Sequence, residues 1–115
     1  WDAYIQAINR SRIFVNSGNR FYASHQKFTE VMACGTFFLS DIPMDNDIYG
    51  FVPEEHYGVF KRNNLQDLKK QIFYYLEATE ERERIAQAGM DFVLANHTND
   101  HRVADFTALI EEHLL

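Results

Sequence analysis

The stretch "HQKFTEVMACGTFFLSDIP", residues 25–43, decides the fold. Phe28, Val31 and Met32 recur at helical spacing, so residues 25–34 read as a short amphipathic helix. Gly35 follows where a left-handed C-terminal residue is wanted, because a glycine has no Cβ to clash there. The chain then runs at once into "TFFLS", Thr36–Ser40, an apolar run of the kind buried on both faces of a parallel sheet. Asp41, Pro43, Asp45, Asn46 and Asp47 end that strand in a polar loop. A helix feeding directly into a fully apolar strand is the repeating unit of a layered α/β domain.

Working outward, Trp1, Tyr4, Ile5 and Ile8 form a second helical stripe, broken at Asn9-Arg10-Ser11. "RIFVN", Arg12–Asn16, is a β-branched and aromatic strand that closes on the turn cluster Ser17-Gly18-Asn19. Downstream, "HYGVFK", residues 56–61, reads as a third strand. Asn64 with Asp67 resembles a capping box ahead of the stripe Leu65, Leu68, Ile72, Tyr75 and Leu76. A further helix spans residues 80–94, in which the small Ala86 and Gly89 permit close approach to a neighbour. Thr98, Asn99 or Asp100 caps a last helix carrying Val103, Phe106, Ile110 and Leu114. The expected class is therefore α/β, a Rossmann-like three-layer domain with a parallel sheet. Three strands make about half of a doubly wound sheet, which suggests that an N-terminal portion belongs with this one. Ligands of such sheets sit beyond the carboxyl ends of the strands, here at residues 17–24 and 41–47.

Composition narrows the function classes. Acidic residues outnumber basic ones, 17 to 11, for a formal charge of −6, so no basic surface is available to neutralise a nucleic-acid backbone or an anionic membrane. No apolar run approaches the roughly 20 residues that span a bilayer. A single cysteine excludes an internal disulfide and favours a reducing, cytoplasmic setting. The tripeptides Asn9-Arg10-Ser11 and Asn96-His97-Thr98 match a glycosylation pattern that matters only in a secreted protein, and are read as chance.

A helix starting just past a strand's carboxyl end offers unpaired amide N–H groups and a partial positive charge, a natural seat for phosphate. Arg20 and Lys27 add to that charge. Glu30 lies on the helix away from Phe28, where its carboxylate can accept hydrogen bonds from vicinal hydroxyls such as those of a ribose. The competing reading from spacing alone is a solvated Lys27–Glu30 ion pair. Cys34 sits at the carbonyl end of the helix, where the field disfavours a thiolate, and reads as a structural thiol. His97 and His101 have the spacing of a metal pair, but the cap at Thr98 falls between them. Asp41, Asp45 and Asp47 read as turn chemistry rather than a cation loop. No metal site is expected.

Glu30-Val31-Met32-Ala33-Cys34-Gly35 resembles the "E-x-M-A-C-G" signature of the group 1 glycosyl transferases, enzymes of the GT-B architecture. "KFTEVMACGTFFLSDIP" is particularly similar to the branch related to spore-maturation glycosyltransferases, and the likeness continues through "GFVPEEHYGVFKRNNLQDLKKQIFYYL", "ERERIAQAG" and "HTNDHR". The resemblance implies that residues 1–115 are the C-terminal, nucleotide-sugar-binding half of a GT-B glycosyltransferase of hexosyltransferase type, with an N-terminal acceptor domain outside this sequence. It implies that Glu30 grips the ribose of a nucleotide diphosphate sugar, that Gly35 makes the tight turn behind it, and that the segment before the helix, with Arg20, Tyr22, His25 and Lys27, faces the phosphates and sugar. It also implies no metal or other cofactor. The family often carries a second glutamate eight residues before the first; that position is Tyr22 here, and His25 is the nearest polar substitute as a catalytic group. Alternatives are a non-catalytic GT-B module serving binding or homo-oligomerisation, and a sugar-nucleotide epimerase on the same architecture.

Overall fold

The computed structural model describes residues 1–18 and 20–115; Asn19, the end of the expected turn cluster, lies outside the described residues. In chain order the elements are α1 (Asp2–Arg10), β1 (Ile13–Val15), α2 (Gln26–Ala33), β2 (Phe37–Ser40), α3 (Asn46–Tyr49), β3 (Gly58–Val59), α4 (Leu65–Glu77), α5 (Thr79–Asn96) and α6 (Asn99–Leu114). The strands form a parallel sheet in the order β1-β2-β3, with Ile13 opposite Phe37, Val15 opposite Leu39 and Leu39 opposite Gly58. This is the expected α/β class, a partial Rossmann-like domain.

Strand alternation divides the core. Phe38 joins Ile8 of α1 and Phe28, Val31 and Met32 of α2 on one face, with Phe14 and Val59 packed against them. Phe37, Leu39 and Phe60 point to the other face, where Tyr75 of α4 covers them and Ile13, Leu68 and Ile72 pack alongside. α5 serves both, giving Val93 to the first cluster and Ile85 and Ala86 to the second. Every residue of β2 is buried, which is why its sequence shows no polar alternation.

Caps behave largely as the sequence predicts. Gly35 has φ of 72° and ends α2. The Asn64 side chain accepts from the amide of Asp67 at 2.9 Å, but the Asp67 carboxylate accepts from the amide of Lys61 at 2.6 Å instead of returning to Asn64, so the box is one-sided. Thr98 caps α6 reciprocally with His101. The buried Arg82 donates to the carbonyls of Tyr75, at 2.6 Å, and Leu76, at 3.2 Å, so a cation closes the C-terminal end of α4 where the helix dipole favours one.

Three segments differ from expectation. The loop after β2 contains a single helical turn, α3, stopped by Gly50 at φ of 75°. β3 is shorter than residues 56–61 because Tyr57 pairs with Pro53 instead, although the amide of Phe60 still donates to Ser40 O at 3.2 Å. α6 carries the expected stripe, yet none of its residues is buried.

Gly89 is where α5 meets the loop before β3. A Cβ there would stand 2.3 Å from the carbonyl oxygen of His56 and 3.2 Å from Met32 Sδ. Gly89→Ala is expected to lower the thermal midpoint, because overpacking of roughly 1–3 kcal/mol outweighs the about 1 kcal/mol by which alanine favours a helix. An unchanged or raised midpoint would refute the close approach.

His56 itself is buried, stacks on Phe92 at 4.2 Å and accepts from the Val52 amide through Nδ1 at 3.0 Å. Burial pushes its pKa below 6.5, with Glu55 acting weakly the other way. The unfolded chain binds a proton at higher pH than the folded one, so this stabilisation is intact above about pH 6.5 and declines as pH falls through the folded value. Denaturant titrations between pH 7 and 5 should show a loss of stability on acidification that is shallower in His56→Asn; equal slopes would rule out His56 as its source.

Candidate functional site

The N-terminal turns of α1 and α2 meet at the carboxyl rim of the sheet. His25, the residue before α2, ties that helix to the end of β1: its Nδ1 accepts from the amide of Lys27 and its Nε2 lies toward Ser17 O, each at 3.4 Å. Nε2–H donating and Nδ1 accepting is the one neutral tautomer that serves both. The ring also meets Phe28 edge-on at 6.2 Å. His25 thus builds the rim, with both ring nitrogens turned to backbone.

Beside it lies a cleft of about 540 Å³ lined by Trp1, Tyr4, His25, Gln26, Lys27 and Glu30. Lys27 and Glu30 do not pair directly. Lys27 Nζ donates to the Tyr4 hydroxyl at 2.6 Å and stands 4.4 Å from the centre of its ring, and that hydroxyl donates to Glu30 Oε2 at 2.6 Å. Gln26 Nε2 donates to Glu30 Oε1. The carboxylate is therefore oriented from both sides while each oxygen keeps a further lone pair, and it sits next to a cation and the amino end of a helix. Such a set can accept from hydroxyls and attract an anion at adjoining positions. Sequence reasoning placed Tyr4 and Trp1 in an apolar stripe and missed this use; the phenol, a polar tip on an apolar face, was the available signal.

The remaining candidates sit elsewhere. Arg20 is exposed, with its guanidinium 6.0 Å from the Phe21 ring. Tyr22 has φ of 56°, its carbonyl accepts from the Met44 amide at 2.8 Å, and Arg62 lies over its ring at 4.3 Å. Gly35 is at the far end of α2, beside Arg12, Thr36 and Arg82. The cleft brings together Lys27, Glu30 and His25 but not Arg20, Tyr22 or Gly35.

Asp41, read as turn chemistry, is a buried hub at the end of β2. Its Oδ1 accepts from the amide of Gly18 at 2.7 Å and its Oδ2 from Arg62 Nε at 2.8 Å. Asp45 accepts from Ser24 N and Oγ, at 2.8 and 3.0 Å, fastening the loop before α2. His97 Nε2 lies 2.8 Å from Tyr49 O and Nδ1 lies 2.9 Å from Arg102, whereas His101 is committed to the cap of α6. Burial raises the Cys34 thiol pKa and Glu30 adds to the effect, so the thiol form is held. A second rim cleft, about 350 Å³ between residues 15–17 and 63–68, has no charged side chain in its lining. Of these two rim clefts, only the charged one offers a cation to an anionic ligand.

No curated protein and no solved structure gives a significant match to the chain. The family model described as glycosyl transferase-like matches residues 1–108, nearly the whole sequence, and spans α1, the parallel sheet and the charged cleft alike. The chain belongs to the glycosyl transferase-like family.

Proposed function

We propose that the chain is the donor-binding, C-terminal part of a glycosyltransferase that moves a sugar, a hexose in the first instance, from a nucleotide diphosphate donor to an acceptor held by a preceding domain. The observation that carries this reading is the Glu30 carboxylate, held by Tyr4 and Gln26 in an open cleft beside Lys27 and the amino end of α2. In it Glu30 accepts from the ribose hydroxyls, while Lys27 and the helix end offset the negative charge that grows on the diphosphate as the glycosidic bond breaks. The sequential order β1-β2-β3 supports a half-sheet completed by other strands.

Calorimetric titration with UDP, GDP and ADP tests the site. At least one should bind, and Glu30→Ala should weaken it roughly ten- to hundredfold, the loss of a charge-assisted bond of about 1.5–3 kcal/mol. Unchanged affinity would remove Glu30 from the site. Because the counter-charge comes from Lys27 and a helix end, sugar transfer by the full-length parent should survive excess EDTA, and its abolition would overturn that part of the mechanism.

One observation favours a second reading, a binding module without chemistry. Tyr22 stands where the resemblance places a second acid, and its ring lies under Arg62 instead of in the charged cleft. Sugar transfer or donor hydrolysis by the full-length parent would exclude that reading.

A further inference from the structure

A second set of charged groups lies at the amino end of the sheet, opposite the cleft of Lys27 and Glu30. Residues that precede β1 and β2 meet the first turns of α5 around a cavity of about 210 Å³, whose lining includes Asn9, Arg12, Thr36, Arg82 and Glu83. Arg82 is 8 % exposed, and one of its nitrogens, Nη1, makes both bonds to the carbonyls that end α4. Nε and Nη2 have no acceptor among the described residues, where no buried side-chain nitrogen or oxygen lacks a partner, so solvent reaches both. The Nε–H and one Nη2–H of a guanidinium point the same way, as a fork. Arg12 is exposed and also unpaired: among the described residues the arginine ion pairs are Arg62–Asp41 and Arg102–Asp105. Glu83 lines the cavity without pairing with either arginine.

The helices that end on this side would repel an anion through their carbonyl groups, but those groups are covered. At the end of α1, Ser11 Oγ donates to Ala7 O at 2.8 Å and Thr36 Oγ1 to Ile8 O at 2.9 Å. The amides of Cys34 and Gly35 close α2, donating to Val31 O at 3.2 Å and Met32 O at 2.9 Å, and Arg82 itself closes α4. What remains directed at the cavity is two guanidinium groups against one carboxylate. We propose that this cavity binds a phosphate group, free or carried by a small monoester, in the Nε–Nη2 fork of Arg82 with Arg12 as the second cation. A planar fork engages two phosphate oxygens at once, and such charge-assisted bonds are about twice as strong as neutral ones. Burial of Arg82 keeps its geometry set before the anion arrives, and the site is separate from the donor cleft at the other end of α2.

The test uses Lys27→Ala as background, which removes the cation of the donor cleft. Calorimetric titration with inorganic phosphate, at an ionic strength held constant with sodium chloride, should still show saturable binding. Adding Arg12→Gln, which breaks no bond of the fold, should weaken it roughly ten- to hundredfold, the loss of a charge-assisted contact. Adding Glu83→Gln instead should tighten it, because a like charge leaves the lining. Arg82→Lys, checked for native helix content by circular dichroism, keeps a cation near the α4 carbonyls but not the fork and should weaken binding as well. A parallel titration with glycerol 3-phosphate separates the two sources: tighter binding than inorganic phosphate assigns a monoester, and equal or weaker binding the free ion. No saturable binding in the background, or binding that Arg12→Gln leaves unchanged, would overturn the site.

Discussion

The rotational setting of α2 depends on Phe28. This side chain is 1 % exposed and packs edge-on to Phe38 at 4.7 Å and Tyr57 at 5.6 Å, with Phe51 at 5.8 Å. A helix of eight residues is too short to hold itself in water, so its tertiary contacts decide both its existence and its orientation. With Phe28 turned inward, Lys27 and Glu30 project roughly 100° and 160° away from it, about 60° apart on the opposite side. That side faces α1, where Tyr4 joins the two. A smaller residue at position 28 would free the helix to roll and would disperse the charged set without touching any member of it.

A different constraint fixes the other part of the rim. Asp41 is a carboxylate at the carboxyl end of a fully buried strand, where desolvation is costly unless the charge is matched. The amide of Gly18 and the guanidinium of Arg62 match it, joining the segments that follow β1 and β3. Arg62 also donates to Ile42 O and covers Tyr22, whose left-handed backbone brings its carbonyl to the Met44 amide. The polar groups of the rim are thus divided. Those around Asp41 satisfy one another, and those around Glu30 keep acceptor capacity facing an open cleft.

Local chemistry was legible in the sequence where burial imposes a period. The apolar runs of β1 and β2, the stripes of α1, α4 and α5, the left-handed Gly35 and the caps at Asn64 and Thr98 all follow from one-dimensional pattern, because each depends on neighbours within a few residues. α3 is one turn long and leaves no periodic trace. β3 was overextended because burial of His56 and Tyr57 in a loop looks the same in sequence as burial in a strand. In the site, the facing of Lys27 and Glu30 followed from helical geometry. Tyr4 lies 26 residues from Glu30 and Arg62 lies 21 from Asp41, separations that only the fold resolves.

Tyr4 gives the charged cleft a property that a direct Lys27–Glu30 pair would lack. Were those charges in contact, an arriving diphosphate would have to compete with a carboxylate for the lysine and leave that carboxylate without its partner. Here the ammonium rests on a neutral phenol oxygen, and the carboxylate is held by the phenol's proton and by Gln26. Lysine is a compact charge on a flexible stem. In the proposed complex, exchange of the phenol for a phosphate oxygen replaces a bond to a neutral acceptor by one between opposite charges, and the phenol continues to donate to Glu30 throughout. In the proposed reaction Lys27 would thereby follow charge as it develops on a leaving diphosphate, while Glu30 keeps the orientation that Tyr4 and Gln26 give it.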